Sequence, residues 1–521
     1  MKPRALAWLI LAVGMIWCRA AFVEEVFLNI DEAEYAVAAD GLGHGWLPGV
    51  DLLGSTKPPG IVLLYKLLFL IFGRSIAVLH AAHIVILIAA GVLLVELAVA
   101  LWDQRAAVPA AVLFWMVANS YAQPHEIAAL NVEPPGILLV LGGLLLAWTK
   151  ARSRWALFTA GVLLGLAALI RQSFGIFLLP VWGAMNLRGE KRLSSLIPLA
   201  IGFILPWVPI VAWYGAAGGL GWAWDSWVRY PLTYSADAGL GGFLQGAYTT
   251  TTSFLLEALI PTAMLISGAV VLWRERGQMQ TRFLGGFCVA SLIALFSGSR
   301  FFGHYWIQVF PAIALFGVPA WRALAAGSRK ARLLLAAAVG IGCIIAAARY
   351  PTWRSWDPWA PARGVSFYAL GSEQAELAVA AFVREHTSPD ETIAVWGYCP
   401  QIYYHAQRLP GVRDYLCHYV TGYSPGTFNP LAGRAIRRQG HPQAQDMFIA
   451  DLQRRRPQYV FDLWQVDDYA FTFFSYPVSS YPELASYLRA HYLPDGELGR
   501  VLVYRRRTAA DTWWPSEDES R

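Results

Sequence analysis

Long apolar runs, broken by short basic loops, recur along this chain and constrain its fold more than any other feature. A bilayer-spanning helix needs about 20 mainly apolar residues. By that measure eleven segments stand out, near 5–23, 75–101, 106–122, 134–149, 155–171, 173–187, 193–215, 253–273, 283–298, 305–321 and 332–349. Composition agrees, with 15% charged residues against roughly 25% in a soluble protein. The fold class expected is therefore an α-helical polytopic membrane protein of about eleven transmembrane helices. Lys2 and Arg4 followed by Ala5–Cys18 resemble a signal peptide, but Trp17, Cys18 and Arg19 make a poor cleavage site. The segment is expected to remain as the first helix.

Charge placement gives an orientation. With a cytoplasmic N-terminus, the inside loops are 102–105, 150–154, 188–192, 274–282 and 322–332. They carry Arg105; Lys150, Arg152 and Arg154; Arg188, Lys191 and Arg192; Arg274, Arg276 and Arg282; and Arg322, Arg329, Lys330 and Arg332. Every one is basic, as the positive-inside rule requires. An odd number of spans then puts the C-terminal region outside. The formal net charge of +6 is spread over these loops and forms no basic stripe, so nucleic acid is not an expected partner.

Two outer segments depart from the apolar pattern. The loop 24–74 predicts a short helix over Asp31–Gly41 lying along the membrane and a second re-entrant or interfacial helix over Pro59–Gly73. The outer loop 216–252 is rich in Trp and Tyr, rings that favour the headgroup level. After about Tyr350 the apolar runs shorten and charges rise. Glu373–His386 and Tyr481–His491 read as helices, and Thr392–Trp396, Tyr459–Leu463 and Val501–Tyr504 as strands. This predicts an extracytoplasmic α/β domain over 351–510, with a disordered tail at 511–521. Cys18, Cys288 and Cys343 sit in apolar runs, and Cys399 and Cys417 in the C-terminal part are either two thiols or a disulfide.

The residues able to carry chemistry cluster on the outer side. Asp31 and Glu34 are three apart after the first span, next to Glu32. Asp-x-x-Glu before a helix is ordinarily a capping box; the functional alternative is a general base for an acceptor hydroxyl. Lys57 precedes Pro58-Pro59-Gly60 at a helix start, a place suited to a phosphate, or to a Lys that snorkels to the headgroups. Glu133, in Asn131-Val132-Glu133-Pro134-Pro135, sits at the membrane edge, either as a first-turn acid favoured by the helix dipole or as a working group. His125 and Glu126 just before it offer two ligands for a metal. Arg300 and His304 in Arg300-Phe301-Phe302-Gly303-His304-Tyr305, with Arg171 between the fifth and sixth spans, can hold a phosphate by charge-assisted bonds, though a lone Arg at a boundary is ordinarily an anchor. No P-loop, G-x-G-x-x-G or G-x-S-x-G occurs.

Taken in order, Asp31-Glu32, Lys57-Pro58-Pro59-Gly60, Asn131-x-Glu133-Pro134 and Arg300-Phe301-x-x-His304-Tyr305 with Pro311 resemble the GT-C superfamily of polyprenyl-phosphate-sugar-dependent glycosyltransferases. The nearest groups are the protein O-mannosyltransferases and the bacterial aminoarabinose transferases acting on lipid A. The resemblance covers roughly residues 1–350, the expected catalytic domain. It implies Asp31 as the catalytic carboxylate, Glu133 as a second catalytic acid, and Lys57 as a contact to the lipid phosphate. Glu32, Arg171, Arg300, His304 and Tyr305 complete the implied substrate-binding set. Some members hold a metal with an acid just before the Lys; here that position is Thr56, so a divalent metal is left open.

The resemblance further implies transfer of a hexosyl or pentosyl group, with inversion, from a polyprenyl-phosphate donor to a hydroxyl of a lipid, glycan or protein. The site would face away from the cytoplasm in a plasma membrane of bacterial type. Two other readings stand beside it: a transporter or flippase of lipid-linked sugars, and a non-catalytic envelope scaffold.

Overall fold

The computed structural model describes residues 2–54, 56–120, 124–188, 196–236, 239–299, 301–354, 373–422, 428–429, 434–435, 443–463, 478–499, 501–508 and 511. Arg300, Ser372 and the tail after residue 511 lie outside the described residues, as does the side chain of His125. The chain divides into two compact units, one of residues 1–28 and 57–356, the other of 29–56 and 357–521.

In the first unit every one of the eleven apolar segments contains a helix. Five are long and apolar enough to cross a membrane: Pro3–Phe22, Ile76–Leu101, Leu196–Ala216, Met279–Phe296 and Arg329–Ala348. Gly239–Glu257 and Leu259–Arg274, bent by 101° at their break, make a sixth if taken as one span. Gln104–Ala118, Glu133–Thr149, Arg154–Ile170 and Phe310–Ala326 are apolar but shorter. The 17 residues of Glu133–Thr149 rise about 25 Å, somewhat under the roughly 30 Å of a hydrocarbon core. The chain is thus a multi-pass membrane protein by its helices. The outer segment 216–252, expected as a loop, is instead mostly helical, from Leu220 through a π-helical turn at Asp225–Arg229 and on through Gly239–Glu257. Its aromatics do not stop a helix, and no Pro falls between Gly239 and Glu257 to break one.

Packing in this unit follows small residues. Gly161 and Gly165 lie on one face of Arg154–Ile170, where an added Cβ would come within 2.2 Å of the Leu199 carbonyl oxygen and 2.3 Å of that of Phe203. The Leu196–Ile204 helix therefore approaches backbone to backbone, as small-residue spacing allows in membranes.

The basic loops meet at one end. Asp103 pairs with Arg322 at 2.7 Å. The Trp148 indole N–H donates to the Ala100 carbonyl at 3.1 Å, and Arg188 donates to the Trp148 carbonyl at 2.9 Å. Phe283, just after Arg282, packs its ring 4.8 Å from that of Trp148. Described residues in or beside each of the five basic loops are thus tied to this end.

In the second unit, a four-stranded mixed sheet runs in the order Ile393–Trp396, Tyr459–Asp462, Val501–Arg506, Tyr492–Leu498. The first two strands are parallel, Ile393 beside Tyr459, and the remaining pairs antiparallel. Three strands and both helices match the sequence expectation. The strand Tyr492–Leu498 and the helices Pro400–Ala406, His418–Thr421 and Ala444–Arg455 add to it. The helix Ile30–Leu42 belongs to this unit. Tyr398 donates to Oε2 of Glu34 at 3.5 Å and Tyr415 to the Glu34 carbonyl at 3.4 Å. Further along, Leu53 N–H donates to the Arg413 carbonyl at 2.8 Å, and the Arg455 guanidinium lies 4.0 Å over the Trp46 ring.

Candidate functional site

Within the membrane unit, the end opposite the basic loops gathers most of the expected residues. Glu133 opens the helix whose far end holds Trp148. It is fully buried and forms an ion pair with Arg171, which follows the last residue of Arg154–Ile170. The Arg171 guanidinium also lies 4.1 Å from the ring centre of Tyr305, a cation–π contact. Tyr305 stands edge-on to His304 at 4.8 Å, and Phe302 stacks on His304 at 5.6 Å. His304 is held by Glu126, whose Oε2 accepts from the backbone N–H at 2.9 Å and faces Nδ1 at 2.7 Å. Glu126, read as half of a metal pair with His125, is therefore engaged with His304. Among the described residues no group of three or more His, Cys, Asp or Glu is placed to hold a metal ion.

Lys57 reaches the same neighbourhood through its motif. A Cβ on Gly60 would sit 2.5 Å from the Leu169 carbonyl oxygen, so only glycine lets this helix start abut the turn that leads into Arg171. Pro58 and Pro59 fix the approach, and Lys57 is half-buried. Ser299 and Phe301 both have left-handed backbones, with φ of 54° and 57°. Such conformations cost about 1–2 kcal/mol for a non-glycine residue and collect where function over-determines the backbone.

Asp31 and Glu32 belong to the other unit. The capping box does not form as expected. Asn29 is the N-cap, its side chain accepting from Asp31 N–H at 2.9 Å, and Asp31 sits inside the first turn. Its Oδ2 accepts from the Tyr35 hydroxyl at 3.2 Å. Glu32 and Glu34 are buried. Capping therefore accounts for Asn29 and leaves Asp31 to be explained.

Three side chains that no sequence pattern marks reach the segment between Glu126 and Glu133. Arg19 donates to the carbonyls of Ile127 and Ala118, the latter at 2.6 Å. His83 Nδ1 lies 2.5 Å from the Ala128 carbonyl, and the Tyr65 hydroxyl donates to the Leu130 carbonyl at 2.8 Å. Their only sequence signal is a polar residue inside an apolar run.

No family model matches this chain, and no curated protein matches it. Solved structures do. ArnT from Cupriavidus metallidurans, bound to undecaprenyl phosphate, is similar over 96% of this chain and 98% of its own, with 12% identity and a TM-score of 0.59. The archaeal oligosaccharyltransferase AglB from Archaeoglobus fulgidus, in complex with an inhibitory peptide and a dolichol-phosphate, is similar over 97% of this chain and 74% of its own. Its identity is 16% and its TM-score 0.51. The same enzyme tethered to an acceptor peptide gives 0.53. The chain shares the fold of these proteins.

Proposed function

We propose that this chain is an integral membrane glycosyltransferase that moves a hexosyl or pentosyl group, with inversion, from a polyprenyl phosphate to a hydroxyl acceptor. The observation that carries the reading is the fold shared, over nearly the whole chain, with two proteins whose solved structures hold a polyprenyl-type phosphate. Asp31 takes the proton from the acceptor hydroxyl, which attacks the anomeric carbon as the bond to the lipid phosphate breaks. Lys57, with Arg300 and His304, offsets the charge on the departing phosphate, the kind of stabilisation that contributes most at a charged leaving group. Glu133 keeps Arg171 in place beside Tyr305 and serves as the second acid; Glu32 stands next to Asp31 and completes the acceptor side.

In this reading all eleven apolar segments cross the membrane, residues 1–350 form the catalytic domain and 351–510 an extracytoplasmic domain, and the reaction faces away from the cytoplasm. The acceptor is a lipid, a glycan or a protein. The test is mass spectrometry of envelope lipids and glycans from a deletion strain carrying either the wild-type chain or Asp31→Asn. A product restored by the first and not by the second supports the transferase. A product restored by both removes Asp31 from the chemistry and favours a carrier of lipid-linked sugars or a scaffold.

A further inference from the structure

The short helix Pro124–Ala128 has only five residues, so its carbonyls lack the partners that a longer helix would give them. In an apolar unit each unsatisfied carbonyl is costly. The structure satisfies four in a row, three of them from outside the segment. Ile127 accepts from Arg19, Ala128 faces His83, Ala129 accepts from Asn131 N–H, and Leu130 accepts from Tyr65. These donors come from three helices, Pro3–Arg19, Gly60–Phe72 and Ile76–Leu101. Arg19 is buried and donates to two carbonyls. A charge in such a place is expensive, and an intramembrane ionisable group is retained where it has work to do.

On either side of these four carbonyls stand two buried acids. Glu126 precedes them and holds His304; Glu133 follows them and holds Arg171. The backbone between is the ruler that sets one pair against the other. We infer that Arg19, Tyr65 and His83 are positioning residues, which fix residues 127–130 and so set the separation of the Glu126–His304 pair from the Glu133–Arg171 pair. The inference rests on the transferase reading for what that separation serves. A displacement of about 1 Å at a reacting centre costs on the order of a hundredfold in rate, so loss of one strut shows as lost transfer before it shows as lost folding.

The experiment compares the full chain in lipid nanodiscs, wild type against Tyr65→Phe, His83→Leu and His83→Asn, with the same variants in the deletion strain. Tyr65→Phe keeps the ring and removes one donor. His83→Asn returns an N–H donor at about the depth of Nδ1, whereas Leu does not. Amide hydrogen exchange over residues 127–133 should speed up by roughly three- to tenfold in Tyr65→Phe and His83→Leu, the range that one net hydrogen bond supports. It should return in His83→Asn, and Phe310–Ala326 should not change. Product in the deletion strain should fall tenfold or more in the first two and recover in the third. Unchanged exchange at 127–133, a rise spread evenly over the unit, or wild-type product from both Tyr65→Phe and His83→Leu overturns the inference. Product from Asp31→Asn alongside would instead take Asp31 out of the chemistry on which the transferase reading rests, and exchange then decides alone whether these side chains hold the segment.

Discussion

Arg171 donates through Nη1 to Oε1 of Glu133 with both side chains buried, and Oε2 of Glu133 has no hydrogen-bond partner among the described residues. Removing the cation alone strands a buried carboxylate, at a cost of about 3–5 kcal/mol. Arg171→Leu should therefore lower the melting temperature of the purified chain sharply. Adding Glu133→Gln should restore most of it without restoring transfer. A melting temperature unmoved by Arg171→Leu would mean that the pair is open in solution.

Asp31 poses a different question now that Asn29 supplies the cap. Asn29→Ala should cost about 1 kcal/mol and fray the helix. Asp31→Asn should leave melting nearly unchanged and reduce transfer by about 10²- to 10⁴-fold, the usual contribution of a positioned base. Asp40, half-buried on the same helix, is the control; Glu34 is not, because it is buried against Tyr398. If Asp31→Asn keeps most of its activity, the base lies elsewhere.

Lys57→Ala should weaken binding of undecaprenyl phosphate by about tenfold to a hundredfold, since a hydrogen bond to a charged group contributes roughly 1.5–3 kcal/mol. Titration of the lipid into nanodisc-embedded protein reads this directly. Equal affinity in wild type and variant takes Lys57 out of the phosphate site.

Topology has its own check. A reporter active only outside the cytoplasm, fused at Ser372, should be active, as eleven crossings from a cytoplasmic N-terminus require. Activity of a cytoplasmic reporter at that position would mean an even number of crossings.

The second unit should respond to pH through Asp414. Burial pushes its carboxyl up to about 7 against the backbone amides of Val420, Tyr419 and His418, and Asp451 adds to the rise. Its Oδ2 accepts from Val420 N–H at 2.9 Å, and Oδ1 lies 3.7 Å from His418 Nδ1. A folded pKa above the unfolded one means that the folded state holds the extra proton between about pH 4 and 7. Stability contributed in that window is present at its acid end and lost as pH rises through 7, by about 1.4 kcal/mol per unit. Hydrogen exchange of the strand Ile393–Trp396, corrected for its intrinsic rate, should accelerate from about pH 4 to 7 and level off above it. Asp414→Asn should flatten that slope; an unaltered slope would assign it to another group.

The membrane helices were legible because hydropathy is a local property: each apolar run needs only its own residues to become a helix. The basic loops were legible for the same reason, and the contacts of Asp103, Trp148 and Arg188 gather them at one end. What the sequence hid was pairing at a distance. The bonds of Arg19, His83 and Tyr65 end on backbone carbonyls, and a carbonyl has no residue identity to read. Glu126 looked like a metal ligand beside His125, yet its partner His304 lies 178 positions away. The cap at Asn29 was hidden by something smaller, a choice between two capping residues two apart. Nor does composition reveal that residues 29–56 group with the C-terminal segment, since the change in charge falls near Tyr350.

That grouping fixes an order of biogenesis. The helix bearing Asp31 emerges from the ribosome early, but the Tyr415 hydroxyl that meets the carbonyl of Glu34 is 381 residues further on. At about 5–20 residues per second, roughly 20–80 s of synthesis separate the two. For nearly all of that interval, until Tyr398 is made, the helix lacks the C-terminal side chains that meet Glu34. A chain stopped before Tyr398 therefore carries this helix without the C-terminal side chains that meet it in the finished fold.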